Sequence, residues 1–256
     1  MKRVLTALIL VPIVTWIILR GSPEIFLVTV AVLASLCWFE FSQMIAPLCV
    51  QFPRWAGFVP GMALLYTRDR GELLIILTAL AALVVAMRGP ELAKVLPSAA
   101  IFLIGIVYIF GAWKTAILLR EYSVGWLMFA IIINWIGDSA ALYAGKAFGK
   151  NKLAPSISPG KTWEGAIASL AFGSLGAVFV LHYLTPEANL FKASIVALLA
   201  NSAGQIGDLA ESAIKRGAGV KDSGTMLPGH GGWLDRVDSS LFSMPVVYAL
   251  YPWLGK

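Results

Sequence analysis

Charged residues are scarce in this chain of 256 amino acids: they make up 13% of it, whereas hydrophobic residues make up 59%. A soluble domain carries about 25% charged residues, so this composition excludes an ordinary soluble protein. Apolar runs of roughly the 17–25 residues needed to span a bilayer recur along the whole chain. The composition therefore predicts an integral membrane protein.

Cysteine is also scarce. Cys37 and Cys49 lie in or beside an apolar segment, outside any C-x-x-C motif and with no His nearby. Such residues are usually small packing side chains, so we expect neither a metal motif nor redox chemistry from them.

Turn-forming residues divide the apolar runs into segments of helical length. The predicted segments are 4–20, 23–46, 55–67, 71–88, 95–114, 124–145, 163–184, 189–213 and 237–254. No linker is long enough for a separate soluble domain. We expect an all-α, polytopic helical membrane bundle with about nine transmembrane helices. It would form a single membrane domain over 1–256, with N-terminal helices in 1–120 and the site-bearing helices and cytoplasmic loops in 121–256.

The charge that is present is mostly positive, with a net charge of +6. Positive residues are expected in the cytoplasmic loops of a membrane protein, and this explanation is preferred to a nucleic-acid partner. Most of the Lys and Arg residues fall on one side if the loops around 146–162 and 214–236 are cytoplasmic. We therefore expect these two loops inside the cell and no nucleic-acid partner.

Carboxylates near the C-terminus suggest a metal site. Asp208 shares a predicted helical face with Glu211, Ser212 and Lys215, and Asp235 and Asp238 are three residues apart at the start of the last helix. Three carboxylates from two adjacent helices can bind Mg²⁺ and leave coordination positions for phosphate. The alternative is that Asp235 and Asp238 only stabilise a helix N-terminus.

Basic residues are interleaved with these acids, and a glycine-rich loop lies between them. Lys and Arg suit phosphate binding, although each could equally be a topogenic charge. The loop 228–232 contains three glycines, which allow a close approach to a nucleotide. His230 could donate to a leaving phosphate or could simply hold the loop together. The basic candidates are Lys215, Arg216, Lys221 and Arg236.

A second polar constellation begins in the sixth segment with Asp138. An Asp within an apolar helix is a functional candidate by default, and its alternative is pairing with a Lys or Asn of a neighbouring helix. Ser158, Lys161 and Thr162 follow in a stretch that superficially resembles a P-loop but has Pro155 where that motif requires Gly. A Lys and hydroxyls before a helix N-terminus still form a reasonable anion site.

Together these motifs resemble the phosphatidate cytidylyltransferases, the CDP-diacylglycerol synthases. The resemblance rests on Ser212-Ala-Ile-Lys-Arg216, Lys221-Asp222 and the run from Leu227 to Asp238, and it extends to 138–149 and 158–165. It implies the reaction CTP + phosphatidate → CDP-diacylglycerol + pyrophosphate, in the bacterial inner membrane, by a Mg²⁺-dependent, dimeric helical protein. One departure is Leu142, where the family commonly has Tyr; Tyr143 follows it.

The resemblance and the residues together suggest roles for each position. The metal ligands would be Asp208, Asp235 and Asp238, with Asp138 and Asp222 orienting basic residues or a second cation. The expected catalytic residues are Lys215, Arg216, Lys221, Asp222, His230 and Arg236. The expected substrate-binding residues are Asp138, Ser158, Lys161, Thr162, Ser212, Gly231 and Gly232.

Two other functions remain open. A cytidylyltransferase acting on another lipid phosphate would use the same headgroup chemistry, so its site motif would be the same. A membrane transporter could use Asp138 and Asp208 as a relay at the bilayer midplane. The polar residues cluster at the loops and no inverted repeat is evident, which argues against the transporter.

Overall fold

The structure, a computed structural model, describes residues 2–48, 52–227, 229 and 231–254, and the side chains of all of these except 2–7, 9 and 10. The chain is almost entirely helical within these residues. The helices are α1 (Lys2–Arg20), α2 (Pro23–Ile45), α3 (Phe58–Tyr66), α4 (Gly71–Ala86), α5 (Val95–Ile106), α6 (Ala112–Tyr122), α7 (Val124–Phe148), α8 (Trp163–Ala168), α9 (Ser174–Leu184), α10 (Leu190–Gly217), α11 (Leu234–Val237) and α12 (Ser240–Leu254).

Short non-α segments join several helices into longer rods. A 3₁₀ turn (Arg54–Gly57) precedes α3, and another (Leu92–Lys94) precedes α5. π-helical turns join α5 to α6 (Val107–Gly111) and α8 to α9 (Ser169–Gly173). Each predicted apolar segment therefore corresponds to one helical stretch of the structure.

The membrane-spanning capacity of these stretches varies. Among the described residues four are long and apolar enough to cross a bilayer, and they are Pro23–Ile45, Leu92–Tyr122, Val124–Phe148 and Trp163–Leu184. α3 has only nine residues, and α10 ends in a charged turn that contains Lys215 and Arg216. The all-α membrane class is supported, but the prediction of about nine crossings is not confirmed.

Helix α4 presents an apolar surface outward. Leu73, Ile76, Leu77, Leu80 and Val84 are each about half exposed and recur at helical spacing along one face. An exposed apolar surface of this kind is unfavourable in water and is typical of a lipid-facing helix. The exposure pattern agrees with the membrane class that the composition indicates.

A small hairpin is the main departure from the predicted helices and loops. Strands β1 (Lys152–Ala154) and β2 (Ser158–Thr162) pair antiparallel. Both strands of a two-stranded sheet are edge strands, and Pro159 of β2 therefore lies in the kind of strand where Pro is tolerated. The hairpin leads directly into α8, whose first turn is capped by the Thr162 hydroxyl, which accepts from Gly165 N–H at 3.2 Å.

Buried amides hold together the helices that carry the site. Asn134 on α7 donates to the Ser243 hydroxyl of α12 at 2.7 Å and to its own helix at Ala130 O. Asn201 on α10 donates to Ser169 O at 3.2 Å. Asn201 also donates, more weakly, to Ile133 O of α7 at 3.4 Å. A buried amide favours the packing that satisfies its hydrogen bonds, so these contacts favour one spacing of α7, α10 and α12.

The close contact at Gly204 gives a test of this packing. A Cβ added at Gly204 would lie 2.2 Å from Asn134 Oδ1, whereas one added at Gly217, on the same helix, would meet nothing within 4 Å. We expect Gly204→Ala to destabilise the protein by about 1–3 kcal/mol, as overpacking does. Thermal unfolding in detergent measures it, with Gly217→Ala as the control. Equal melting of the two variants would contradict this packing of α7 against α10.

Candidate active site

A pocket of about 350 Å³ lies between α7, the hairpin, α8 and α10. It gathers five of the residues that the sequence singled out, although they come from three separate parts of the chain. The predicted site residues that line it are Asp138, Ser158, Lys161, Thr162 and Asp208. Leu142, Leu153 and two alanines form an apolar wall beside them. The pocket thus combines charged groups with a surface suited to a hydrocarbon chain.

Lys161 and Asp208 face each other across this pocket. The Lys161 ammonium lies 2.7 Å from Asp208 Oδ2, and the two side chains keep 24% and 33% of their exposure. A partly exposed ion pair contributes little stability and exchanges partners readily. An entering phosphate can therefore take the ammonium, and an entering cation can take the carboxylate.

Negative charge accumulates around Asp208. The charge of Asp208 acts on Asp138 of the pocket and on Asp238, at the junction of α11 and α12. The described hydrogen bonds to the Asp238 carboxylate come from its neighbour Ser239, whose N–H lies 2.7 Å from Asp238 Oδ1. Asp138 and Asp208 line the same pocket, and like charges that share a site favour a bound cation. Arg236, whose charge also acts on Asp138, offsets only part of this charge.

A second cluster, which we call the Lys215 cluster, consists of Glu211, Lys215 and Asp235. The Lys215 ammonium forms an ion pair with Glu211, one turn earlier on α10, and another with Asp235 Oδ1 at 2.5 Å. Both carboxylates are almost fully buried. Burial alone would lower the pKa of Lys215, but the bonds to Asp235 and Glu211 raise it above its usual value. The charged groups of this cluster are therefore paired with one another and largely shielded from solvent.

The other oxygen of Asp235 is also occupied. Asp235 Oδ2 accepts from the N–H groups of Ser223 at 3.0 Å and Gly232 at 2.8 Å, and the Ser223 hydroxyl lies 3.0 Å away. Burial disfavours the ionised form, but Lys215 and these N–H groups hold the pKa of Asp235 below its usual range. Asp235 therefore fastens the two ends of the loop 223–234, which we call the glycine loop.

These contacts differ from two of the roles expected from the sequence, and both roles stay predictions. Lys215 does not point freely toward a phosphate, since two buried carboxylates enclose its ammonium. The described contacts of Asp235 are with Lys215, Ser223 and Gly232, whereas Asp208 pairs with Lys161. In the part of the chain that the structure describes, no three His, Cys, Asp or Glu side chains are grouped so that they could hold a metal ion. The three-carboxylate site is not assembled among these residues, and metal binding stays a prediction.

The remaining basic candidates lie at the surface near the pocket. Arg216 is exposed and donates to Val220 O at 3.0 Å and, more weakly, to Ile157 O of the hairpin turn at 3.4 Å. Lys221, Asp222 and Arg236 are exposed. Their exposure leaves Arg216, Lys221 and Arg236 accessible to an anion, and their role in phosphate binding stays a prediction.

The remaining predicted positions are Ser212 on α10 and three residues of the glycine-rich loop. Ser212 is buried on α10. Gly231 has φ +79°, which favours glycine, and its carbonyl accepts from Leu227 N–H at 3.0 Å. Gly232 is buried against Glu40 and Ser223. His230 lies outside the described residues.

Glu40 on α2 is a buried acid that the sequence analysis missed. Its side chain has no solvent exposure, and it accepts from the N–H groups of Trp233 at 3.0 Å and Leu234 at 2.9 Å. A carboxylate within an apolar membrane segment is a functional candidate by default, the same rule that singled out Asp138. Applied to α2, it would have found Glu40 as well.

A model of the cytidylyltransferase family matches residues 1–254. The chain belongs to this family. It is 34% identical over 254 residues to a phosphatidate cytidylyltransferase of Brucella suis, an alignment that covers 96% of this chain and 91% of that protein. It is 44% identical over 133 residues to a phosphatidate cytidylyltransferase of Bacillus subtilis, covering 52% of this chain and 49% of that protein. This cytidylyltransferase is therefore a nucleotidyl-transferring enzyme, which agrees with the family resemblance of its motifs.

Proposed function

We propose that the protein transfers the cytidylyl group of CTP to phosphatidate, releasing pyrophosphate and forming CDP-diacylglycerol for phospholipid synthesis. The observation that supports this most directly is the pocket itself. It places a lysine and carboxylates beside an apolar wall in a helical membrane protein of the cytidylyltransferase family. A lipid phosphate needs both surfaces, since its headgroup is an anion and its acyl chains are apolar.

The reaction needs charge compensation more than it needs a base. A phosphate monoester has a second pKa of about 6 and is largely ionised at neutral pH. Its oxygen forms a bond to the α-phosphorus of CTP, and the bond from that phosphorus to the bridging oxygen breaks as pyrophosphate leaves. Two polyanions must therefore approach each other, and positioned positive charge lowers the barrier.

Lys161 is the residue best placed to supply that charge. It lies in the pocket on β2 and is held there by the exchangeable pair with Asp208. Its ammonium has three donors and can turn to a phosphate oxygen while it remains near Asp208. The Ser158 hydroxyl lines the same pocket. Arg216 and Arg236, exposed near the rim, would hold the outer phosphates.

The carboxylates around the pocket suit a divalent cation. Mg²⁺ prefers oxygen ligands and commonly uses one or two carboxylates together with substrate phosphates. We assign Asp208 and Asp238 to this role because Asp208 lines the pocket and the backbone of Asp238 packs against Gly207, the chain neighbour of Asp208, with Asp138 of the same pocket available for a second cation. When bound, Mg²⁺ supplies charge neutralisation for the phosphates. Asp235 is left to hold the glycine loop and Lys215.

The proposal extends to the surroundings of the enzyme. The relatives from Brucella suis and Bacillus subtilis are bacterial, and the Lys- and Arg-rich loops favour a cytoplasmic location. We therefore place the protein in the bacterial inner membrane, with 146–162 and 214–236 facing the CTP of the cytoplasm. On the family resemblance it would act as a homodimer.

Product formation from labelled CTP and phosphatidate tests the function. The detergent-purified protein is expected to form CDP-diacylglycerol and pyrophosphate in equal amounts, and only with Mg²⁺ present. Diacylglycerol, which lacks the phosphate nucleophile, is the control and should give nothing. If the protein reacts faster with an isoprenoid or ether-linked phosphate than with phosphatidate, that lipid phosphate is its substrate. A folded protein that is inactive on all of them would favour the transporter.

A further inference from the structure

We propose that Glu40 is a positioning residue of the glycine loop, so that helix α2 of the N-terminal half forms part of the active-site machinery. The inference rests on the proposed function, because it concerns the loop that carries the charged residues of that reaction. Glu40 lies almost two hundred positions from its partners in the chain, yet it is enclosed by them.

Both ends of the glycine loop converge on one carboxylate. Glu40 Oε2 accepts from Leu234 N–H at 2.9 Å and lies 3.0 Å from the Ser223 hydroxyl. Glu40 Oε1 accepts from Trp233 N–H at 3.0 Å. Ser223 opens the loop, whereas Trp233 and Leu234 close it. A single side chain therefore sets the distance between the two ends of the loop.

Two glycines of the loop make room for this carboxylate. A Cβ added at Gly224 would lie 2.6 Å from Glu40 Oε1, and one added at Gly232 would lie 2.3 Å from Glu40 Oε2. The loop backbone thus fits around the acid on two sides. The sequence suggested that Gly232 allows the close approach of a nucleotide. In this structure Gly232 lies close to Glu40.

The energetics favour a specific purpose for this acid. A buried carboxylate loses its hydration, and the described ion pairs give Glu40 no cationic partner. Among the described residues, the hydrogen-bond donors to the Glu40 carboxylate all come from the loop. An apolar residue would pack into α2 at lower cost, but it would leave the N–H groups of Trp233 and Leu234 unpaired. The arrangement stabilises one conformation of the loop.

That conformation matters because charged residues flank the loop on both sides. Lys221 and Asp222 precede Ser223, whereas Asp235, Arg236 and Asp238 follow Leu234. The Ser223 hydroxyl lies 3.0 Å from Glu40 and 3.0 Å from Asp235, so it connects Glu40 to the Lys215 cluster on α10. Releasing Glu40 would let Arg236 and Asp238 shift relative to the pocket, and small shifts of this kind lower catalytic rates.

The test compares Glu40→Gln with Ser42→Ala in the full-length protein in detergent. The amide keeps the shape of the carboxylate but replaces one acceptor oxygen with a donor, which opposes an N–H of the loop. Ser42 is buried on the same helix and donates only to Phe39 O, so its variant should behave as the wild type. We expect Glu40→Gln to lower kcat about tenfold or more, with a small change in the KM for CTP. Deuterium uptake should rise in 221–238 and stay unchanged in 152–162.

Ser223→Ala is the milder second variant, because it leaves the two N–H bonds to Glu40 intact. It should lower kcat several-fold with the same local rise in uptake, and it decides the question if Glu40→Gln does not fold. Unchanged kcat per folded molecule in these variants, or increased uptake throughout the chain, would overturn the proposal. A wild type that forms no CDP-lipid would instead contradict the proposed reaction, and the uptake of 221–238 would still test the loop.

Discussion

Asp208→Asn is expected to reduce CDP-diacylglycerol formation roughly a thousandfold, which corresponds to about 4 kcal/mol of transition-state stabilisation. Asp208 is the carboxylate that faces Lys161 inside the pocket, at 2.7 Å. The amide keeps the size of the side chain but removes the charge that would hold a divalent cation and orient the Lys161 ammonium. Steady-state kinetics over a range of Mg²⁺ concentrations measure the effect.

The Mg²⁺ titration also separates two roles for Asp208. If Asp208 is a metal ligand, the variant should require a much higher Mg²⁺ concentration for its residual activity. If Asp208 only positions Lys161, the KM for CTP should rise with no change in the Mg²⁺ requirement. Asp69→Asn makes the same chemical change at an exposed position in the 67–70 turn and should retain full activity. Activity of Asp208→Asn within threefold of the wild type would remove Asp208 from the site.

The helices of this protein could be predicted closely from the sequence, because a backbone within lipid must satisfy its hydrogen bonds internally. The segment predicted at 23–46 is found at Pro23–Ile45, and that at 163–184 spans the stretch from Trp163 to Leu184. The segment predicted at 189–213 continues to Gly217. The last turn of α10 is charged, so the apolar pattern of the sequence ends before the helix does.

The hairpin could not be predicted from the same signals. Its second strand, Ser158–Thr162, contains Pro and Gly and lacks the apolar alternation that indicates a strand. It follows the short β1, pairs with it in antiparallel fashion and ends at Thr162, which caps α8. The strand pairing is a contact between neighbouring elements, and the apolar pattern of the sequence does not encode it.

The site was predicted as a set of residues but not as an arrangement. Helical spacing correctly places Asp208, Glu211 and Lys215 on one helix, but it cannot decide which of them meets Asp235. In the structure Lys215 reaches Asp235, while Asp208, less than two turns earlier on α10, pairs with Lys161 of the hairpin. Partners from distant parts of the chain determine the roles, and spacing contains no information about them.

Lys215→Met is expected to have the largest effect on stability, about 3–5 kcal/mol, because it leaves Glu211 and Asp235 buried with no cation between them. Methionine is similar in length to lysine and fills the same space, so the loss is that of the charge. Thermal unfolding in detergent measures it. Lys94→Met removes the cation of an exposed ion pair with Glu91, at 2.8 Å, and should cost at most about 1 kcal/mol.

Glu211→Gln completes this comparison, since it leaves the pair of Lys215 and Asp235 balanced and should destabilise the protein less than Lys215→Met does. The two variants together separate the loss of a cation from the loss of an anion. If Lys215→Met unfolds at the same temperature as the wild type but is inactive, Glu211 and Asp235 must be neutralised by protons rather than by the Lys215 ammonium. In the wild type, the Lys215 ammonium would then be free to bind substrate, as the sequence suggested. The Lys215 cluster would be a phosphate site rather than a set of charges that neutralise one another.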